Sequence, residues 1–268
     1  MFWVNGVPCD SISASDRSFQ YGDGVFTTML LQDGKVLHWS LHTQRLREGL
    51  NRLAIPHPNW SDVERWVANA AIEHSRSGIK VHISRGSGGR GYSPLGCESP
   101  VVTISAFQYP KHYSTWHQAG LELGICQTQL GLNPTLAGIK HNNRLEQIMA
   151  KAEMDAVGLP DGIVTDLNEH IVETTMANLF WRKGQTLYTP KMVNAGVKGI
   201  TRNYVAAQLP SLGFSLTEED FFIEDLLCAD EVFVTNAILG VAPVSKIAHH
   251  SFSFSDLAKQ LRKSYMSC

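Results

Sequence analysis

No CxxC pair, no secretory leader pattern and no apolar run of membrane length occurs in this 268-residue sequence, and each absence narrows the possibilities. A bilayer-spanning helix needs ~20 predominantly apolar residues, so no membrane helix is expected. The opening MFWVNGVPCD has neither a basic start nor a long apolar core, which argues against a signal peptide. The five cysteines, at positions 9, 97, 126, 228 and 268, are odd in number and widely scattered, so reduced thiols in a cytoplasmic protein are the simplest expectation. Excess positive charge is lacking too. Lys and Arg total 23 against 25 Asp and Glu, a formal net charge of -2, so nucleic acid and anionic membranes find no general attraction. Any anionic ligand must be met by local charge. His249-His250 and the His112/His117 pair lack carboxylate or thiolate partners at ligand spacing, so no metal site is expected. A GxSxG nucleophile elbow is also missing.

What is present is a core-forming composition, with 43% hydrophobic and 18% charged residues. Strand-like pieces open the chain at Met1–Val4, Phe26–Leu31 and Lys35–His38, with Asp33-Gly34 as a hairpin turn. A helix is predicted from about Ser40 to Leu53, with Leu46, Leu50 and Leu53 at helical spacing. Another begins at Ser61, where Ser61 and Glu64 make a capping box. Strands at Lys80–Ser84 and Val101–Phe107 flank a glycine-rich loop. The pattern breaks between Gln108 and Ala119, and an inter-domain linker is placed there. Beyond it, strands are predicted at Leu121–Thr128, Gly162–Asp166, Val172–Trp181, Thr186–Thr189 and Glu231–Asn236. Turns at Asn168-Glu169 and Lys183-Gly184 make three of these a meander. Helices are predicted at about Asn142–Val157, through Leu145, Ile148, Met149 and Ala152, at Ile200–Leu209 and at Asp256–Met266. Runs of strands and helices without strict alternation indicate an α+β fold. The organisation expected is a small N-terminal domain over residues 1–110, a linker over 111–119 and a larger domain over 120–268.

Gly86-Ser87-Gly88-Gly89-Arg90-Gly91 is a literal GxGxxG after a strand, but Tyr92-Ser93-Pro94 follows and cannot start the helix that would hold a pyrophosphate. A flexible hairpin and a ligand loop presenting Arg90 and Tyr92 remain. Recognition-type side chains among glycines favour the loop. Lys140 follows Ala137-Gly138-Ile139, apolar neighbours that would desolvate an ammonium and lower its pKa. Alone this is a weak signal, since most lysines are surface residues. Glu173 stands among apolar strand residues, where a carboxylate needs a cationic partner. Gly199-Ile200-Thr201-Arg202 opens a helix whose free amides and Thr hydroxyl suit a phosphate. Thr235-Asn236-Ala237 follows an apolar strand and offers more donors. A lysine, a buried acid and an anion cup are what a pyridoxal phosphate site requires.

At this point the sequence resembles the fold-type IV pyridoxal phosphate enzymes, and within them the bacterial aminodeoxychorismate lyases. The likeness covers essentially the whole chain. Its most specific pieces are Asp16-Arg17 with Tyr21-Gly22-Asp23-Gly24-Val25-Phe26-Thr27-Thr28, then His42-Thr43-Gln44-Arg45-Leu46, the Ser84–Ser93 loop, Gly138–Gln147, and Glu173-Thr174-Thr175-Met176-Ala177-Asn178-Leu179-Phe180. The resemblance implies a homodimer of two-domain subunits, each with a small N-terminal α/β sandwich and a larger C-terminal pseudo-barrel that carries the cofactor lysine. It implies that Lys140 carries the cofactor and that Glu173 pairs with the pyridine nitrogen. Arg45, with the backbone at Ile200-Thr201 and Asn236-Ala237, would form the phosphate cup. Arg90 and Tyr92 match a carboxylate-trapping loop that reaches in from the partner subunit. Phe26, Thr27 and Tyr109 complete the substrate side, and Thr28 is the candidate proton relay. The substrate implied is 4-amino-4-deoxychorismate, giving 4-aminobenzoate and pyruvate for folate biosynthesis. D-amino acid and branched-chain aminotransferases share the fold and are the alternative. Transaminases of this fold usually read aromatic-Glu where this chain has Phe26-Thr27. The branched-chain enzymes place Tyr where it has Arg144-Leu145. Both departures favour the lyase.

Overall fold

The computed structural model describes residues 1–70, 76–97 and 99–267. Cys268 lies outside the described residues, and the other four cysteines are free. The chain divides into two compact units, Met1–Tyr109 with Ile139–Asn143, and Pro110–Gly138 with Arg144–Cys268. Lys140, expected in the C-terminal domain, thus sits in a five-residue stretch that packs with the first unit.

In the first unit, strands β1 (Phe2–Val4), β2 (Val7–Pro8), β3 (Gly24–Gln32), β4 (Lys35–Val36), β5 (Arg76–Ser84) and β6 (Val101–Gln108) form one sheet. Its order is β2-β1-β6-β5-β3-β4, and every pairing is antiparallel. Helices α1 (Arg17–Tyr21), α2 (Trp39–Arg52) and α3 (Trp60–Asn69) complete the unit. Alternation sets the two faces of the sheet. Val25, Met29, Ile79, Val81, Ile83, Val102 and Ile104 point to a core that also takes Leu46 and Leu50 of α2 and Val63 and Val67 of α3. The opposite face carries Phe26, Thr28, Lys80 and His82, which pair as Phe26 with His82 and Thr28 with Lys80. The start of α3 differs from expectation. Asn59, not Ser61, caps it, and the Asn59 side chain accepts the Ser61 N–H at 3.1 Å. Asn and Ser cap about equally well, so sequence alone does not separate them.

The second unit is built on strands β7 (Leu121–Ile125), β8 (Asp161–Thr165), β9 (Ile171–Thr174), β10 (Asn178–Lys183), β11 (Thr186–Pro190), β12 (Ser215–Glu219), β13 (Glu231–Asn236), β14 (Gly240–Ile247) and β15 (His250–Ser251). They form one mixed, curled sheet in the order β12-β11-β10-β13-β14-β7-β8-β9, with β15 on β14. Helices α4 (Tyr113–Ala119), α5 (Leu145–Ala156), α6 (Ile200–Gln208), α7 (Ile223–Leu227) and α8 (Leu257–Met266) surround it. The meander is not realised as expected. The single strand predicted over Val172–Trp181 breaks in two, because Thr174 turns the chain. Its Oγ1 donates to the Ala177 carbonyl at 3.0 Å, and the Ala177 N–H returns to that oxygen at 2.9 Å. β9 and β10 therefore occupy different places in the sheet. The stretch expected as a linker holds α4, where the rings of His112, Tyr113 and Trp116 cluster, His112 meeting the other two edge-on. Helix α5 differs in its buried face. Ala150 and Met154 enter the core, whereas Leu145, Ile148 and Met149 stay 59–75% exposed.

Candidate active site

Lys140 is held by its backbone. The Phe26 N–H donates to the Lys140 carbonyl at 2.9 Å, His141 bridges Val25, and the Asn142 N–H donates to the Gly24 carbonyl at 3.0 Å. Side chains fix the same segment from below: Asn142 Nδ2 donates to Ser18 Oγ at 2.8 Å, and Asn143 Nδ2 to the Gly22 carbonyl at 3.1 Å. This close seat explains the glycines in Tyr21-Gly22-Asp23-Gly24. A Cβ on Gly24 would meet the Ile83 carbonyl oxygen at 2.3 Å, and one on Gly22 would meet Asn143 Oδ1 at 2.3 Å while the backbone holds φ +68°. With its main chain anchored, Lys140 extends Nζ to 4.7 Å from the centroid of the Phe26 ring.

The neighbouring face is more basic than the sequence suggested. Lys80 Nζ lies 4.5 Å from the same Phe26 ring, and burial lowers its pKa. His82 contacts Ser18 Oγ at 3.1 Å. Burial first, then the Lys80 charge, brings its pKa down to about 4 against the opposing pull of Asp16. Neither Lys80 nor His82 stood out in the sequence. The available signal was strand alternation, which puts both on the Phe26–Thr28 face.

Thr27 points the other way. It is fully buried on the core face, where Arg45 Nη2 donates to its hydroxyl and His42 Nδ1 lies 2.6 Å from the same oxygen. Since Arg45 supplies one proton, the hydroxyl donates its own to His42 Nδ1. That assigns His42 as neutral, in keeping with a pKa held well below 6.5 by burial and by Arg45. Thr27 thus holds Arg45 in place, while Thr28, partly buried opposite Lys80, faces Lys140's side of the sheet.

The Arg90 loop is tied to Arg17. Arg17 donates to the carbonyls of Gly91 at 3.0 Å, Ser93 at 3.3 Å and Tyr92 at 3.3 Å. Asp23 in turn holds Arg17 and Arg85. Burial pushes the Asp23 carboxyl up, but the two guanidinium groups bring it below the usual carboxylate range. The tip itself stays in solvent, with Tyr92 89% exposed and Arg90 without an ion pair among the described residues. Tyr109 is not brought to Phe26. It lies six residues beyond Thr103, the β6 partner of His82, or roughly 20 Å along the strand. The Arg76 guanidinium sits 5.9 Å from its ring centroid.

In the second unit, Glu173 is 6% exposed on β9. Its Oε2 accepts the Val197 N–H at 3.0 Å and lies 3.4 Å from Asn178 Nδ2. Asn178 also takes the Gly199 N–H at 3.1 Å, which ties the acid to the start of α6. Arg144 places a positive charge close enough for Glu173 to act on it. Burial lowers its pKa, and the charge of Glu173 opposes that change.

Helix α6 packs on β13. Gly199 gives it no side-chain cap, so the first-turn amides of Ile200, Thr201 and Arg202 have no acceptor within the helix. Thr201 and Thr235 are each 1% exposed, and neither hydroxyl has a partner. Two orphaned buried hydroxyls beside an uncapped helix N-terminus are unusual, because buried polar groups are nearly always satisfied. Their chemistry fits a phosphate. Asn236 shapes the adjoining turn through its side chain, with Oδ1 accepting the N–H groups of Ile238 at 3.0 Å and Leu239 at 2.7 Å; Ala237 lies within that turn. Among the described residues no cluster of His, Cys, Asp and Glu suits a metal ion, and no helix is long and apolar enough to cross a membrane.

The profile of the class IV amino-transferase family matches residues 24–247. Over 248 residues, 92% of each chain, the sequence is 50% identical to the aminodeoxychorismate lyase of Vibrio harveyi. Among solved structures, 4-amino-4-deoxychorismate lyase from Pseudomonas aeruginosa aligns with a TM-score of 0.93 at 32% identity, covering 100% of this chain and 98% of that one. A hypothetical aminotransferase from Mycobacterium tuberculosis, in its PLP-bound form, gives a TM-score of 0.83 over 100% and 98% of the two chains; at 16% identity it is a likeness of fold alone. The α+β, two-domain type IV fold expected from the sequence is the fold of this protein. By its profile match and its identity to a curated relative, the chain belongs to the class IV amino-transferase family.

Proposed function

We propose that this protein is a pyridoxal phosphate-dependent lyase that converts 4-amino-4-deoxychorismate into 4-aminobenzoate and pyruvate. The observation that carries the reading is the 50% identity to a named aminodeoxychorismate lyase across 92% of both chains. The site geometry agrees with it. Pyridoxal phosphate, when bound, draws away the electron pair released at the carbon that bears the substrate nitrogen. Lys140 Nζ would hold the cofactor, and its free amine would take the proton from that ring carbon. Its anchored main chain and extended side chain suit both tasks. Glu173 holds a proton at the pyridine nitrogen, its carboxylate oriented by the Val197 amide. Thr201, Thr235 and the first amides of α6 bind the phosphate, with the turn at Asn236-Ala237 beside them. Arg45, steadied by Thr27, is the cation that the family resemblance assigns to phosphate binding.

The bond between the ring carbon and the enolpyruvyl oxygen then breaks. The enolpyruvyl methylene gains a proton to become pyruvate, and the ring becomes aromatic. The Thr28 hydroxyl, placed on the face that carries Phe26 and Lys80, passes that proton. Phe26 forms the floor under the substrate.

The active form proposed is a cytoplasmic homodimer. Support comes from the exposed stripe of Leu145, Ile148 and Met149 on α5, an apolar face of the kind a second copy covers. The Arg90 loop offers further support, since its exposed recognition side chains stand on a backbone that Arg17 hydrogen-bonds. In the dimer Arg90 and Tyr92 meet a substrate carboxylate in the partner's site. The test is the product: purified holoenzyme should release pyruvate from 4-amino-4-deoxychorismate without any keto acid acceptor. An aminotransferase would need that acceptor and would leave the enolpyruvyl ether intact.

A further inference from the structure

Lys80 is the feature of the first unit that the proposed chemistry leaves unused. It projects from β5 on the Phe26–Thr28 face, opposite Thr28. It is partly buried with Nζ over the Phe26 ring; among the described residues it makes no ion pair or hydrogen bond. A desolvated ammonium without an anion is costly, and proteins keep one where a ligand supplies the missing charge. Lys140 Nζ shares the same ring, at 4.7 Å from the centroid against 4.5 Å for Lys80 Nζ, so the two nitrogens are at most 9.2 Å apart.

Resting on the lyase reading, we propose that Lys80 binds the ring carboxylate of the substrate. In 4-amino-4-deoxychorismate that carboxylate lies across the ring from the amine, and standard bond lengths put its oxygens roughly 6–7 Å from the nitrogen. A charge-assisted contact adds about 2.8 Å. The reach from an amine placed where Lys140 Nζ acts, through the ring carboxylate to an ammonium, is therefore up to about 9–10 Å, long enough to span any separation of the two lysine nitrogens up to 9.2 Å. A simple α-amino acid carries its carboxylate on the same carbon as the amine and has no group to reach across. Lys80 thereby selects a ring-borne carboxylate and disfavours the substrates of a general transaminase.

The product 4-aminobenzoate keeps the amine and the ring carboxylate, so it is a probe that undergoes no turnover. In holoenzyme carrying Lys80→Met, KM for the substrate and Ki for 4-aminobenzoate should each rise at least about tenfold, the loss of one modest ionic contact. kcat should change by less than about threefold on the same scale, and the cofactor's visible absorbance should persist. Lys80→Arg should restore most of the binding, whereas weak inhibition by aniline, which lacks the carboxylate, should be the same in all three proteins. Unchanged KM and Ki in Lys80→Met would overturn the assignment. So would loss of the cofactor, or a fall in kcat alone. A wild-type enzyme that made no 4-aminobenzoate from the substrate would instead remove the lyase reading, and the Ki comparison would still decide the role of Lys80.

Discussion

The Phe26 N–H donates to the Lys140 carbonyl at 2.9 Å while the Lys140 ammonium lies over the Phe26 ring. One residue thus fixes the lysine's main chain and supports its side chain. The backbone bond survives any change of side chain at 140. Lys140→Ala is accordingly expected to fold normally, lose the cofactor's visible absorbance and lose all turnover. Circular dichroism and absorbance on the same sample check this. Turnover close to wild type would remove Lys140 from the chemistry.

Glu173 calls for a substitution that keeps its hydrogen bond. Glutamine can still accept the Val197 N–H that now meets Oε2 at 3.0 Å, but it cannot hold a proton on the pyridine nitrogen as a carboxylate does. Glu173→Gln should therefore leave the melting temperature nearly unchanged and reduce kcat by at least about tenfold, a modest share of what oriented electrostatics contribute. More than a tenth of the original activity would show that the carboxylate charge is not needed.

The hydroxyls of Thr201 and Thr235 make a prediction with opposite signs in two states. Both are buried and unpartnered in the protein alone. Replacing either with valine removes an unsatisfied polar group and should stabilise the apoprotein, by up to about 1–3 kcal/mol if the whole desolvation cost is recovered. The same change removes a phosphate donor, so pyridoxal phosphate affinity should fall. Denaturant unfolding of the apoprotein, set beside a cofactor titration, reads both. Weaker apoprotein together with unaltered cofactor affinity would mean that the hydroxyls serve the fold.

His82 gives the acid limb of stability. Its pKa falls to about 4, chiefly through burial, against an ordinary value of 6.5. Between those values the unfolded chain binds the proton and the folded one does not. Stability then rises with pH: the contribution is complete above about 6.5 and is lost as pH falls toward 4. His42, also held well below 6.5, adds to the same limb. His82→Gln retains a hydrogen-bonding group for Ser18 and should flatten, without abolishing, the loss of stability across this window. Unfolding free energies at several pH values test it, and superimposable curves for the two proteins would contradict it.

The residues proposed to hold the cofactor stand out where the sequence forces an oddity into view. Lys140 follows an apolar triplet and Glu173 sits inside an apolar strand, and both needed an explanation that a simple core does not give. The start of α6, proposed as part of the anion cup, was legible as a helix start. Register and partners were not. Thr27 and Thr28 look alike in sequence, yet alternation sends Thr27 to Arg45 and His42 and Thr28 to the open face. Lys80 comes opposite Thr28 through the register of β5 on β3, which the sequence does not specify. Strand β14 lies outside the strands expected from the sequence, and it contains Pro243, a residue seldom found inside strands. Pro243 falls where the ladder to β13 ends and the ladder to β7 begins at Val244, which is where a missing N–H is best tolerated. Exposure of Leu145, Ile148 and Met149 was equally hidden, because a helical apolar stripe reads as core whether its cover is the same chain or another.

The lyase reading is tested most directly by measuring both products of 4-amino-4-deoxychorismate in one reaction, with purified holoenzyme and no keto acid present. Pyruvate and 4-aminobenzoate should appear in equal amounts over many turnovers, and Lys140→Ala should give neither. Consumption of the amine without pyruvate, ceasing after a single turnover with the cofactor left in its amine form, would contradict the lyase and identify a transaminase.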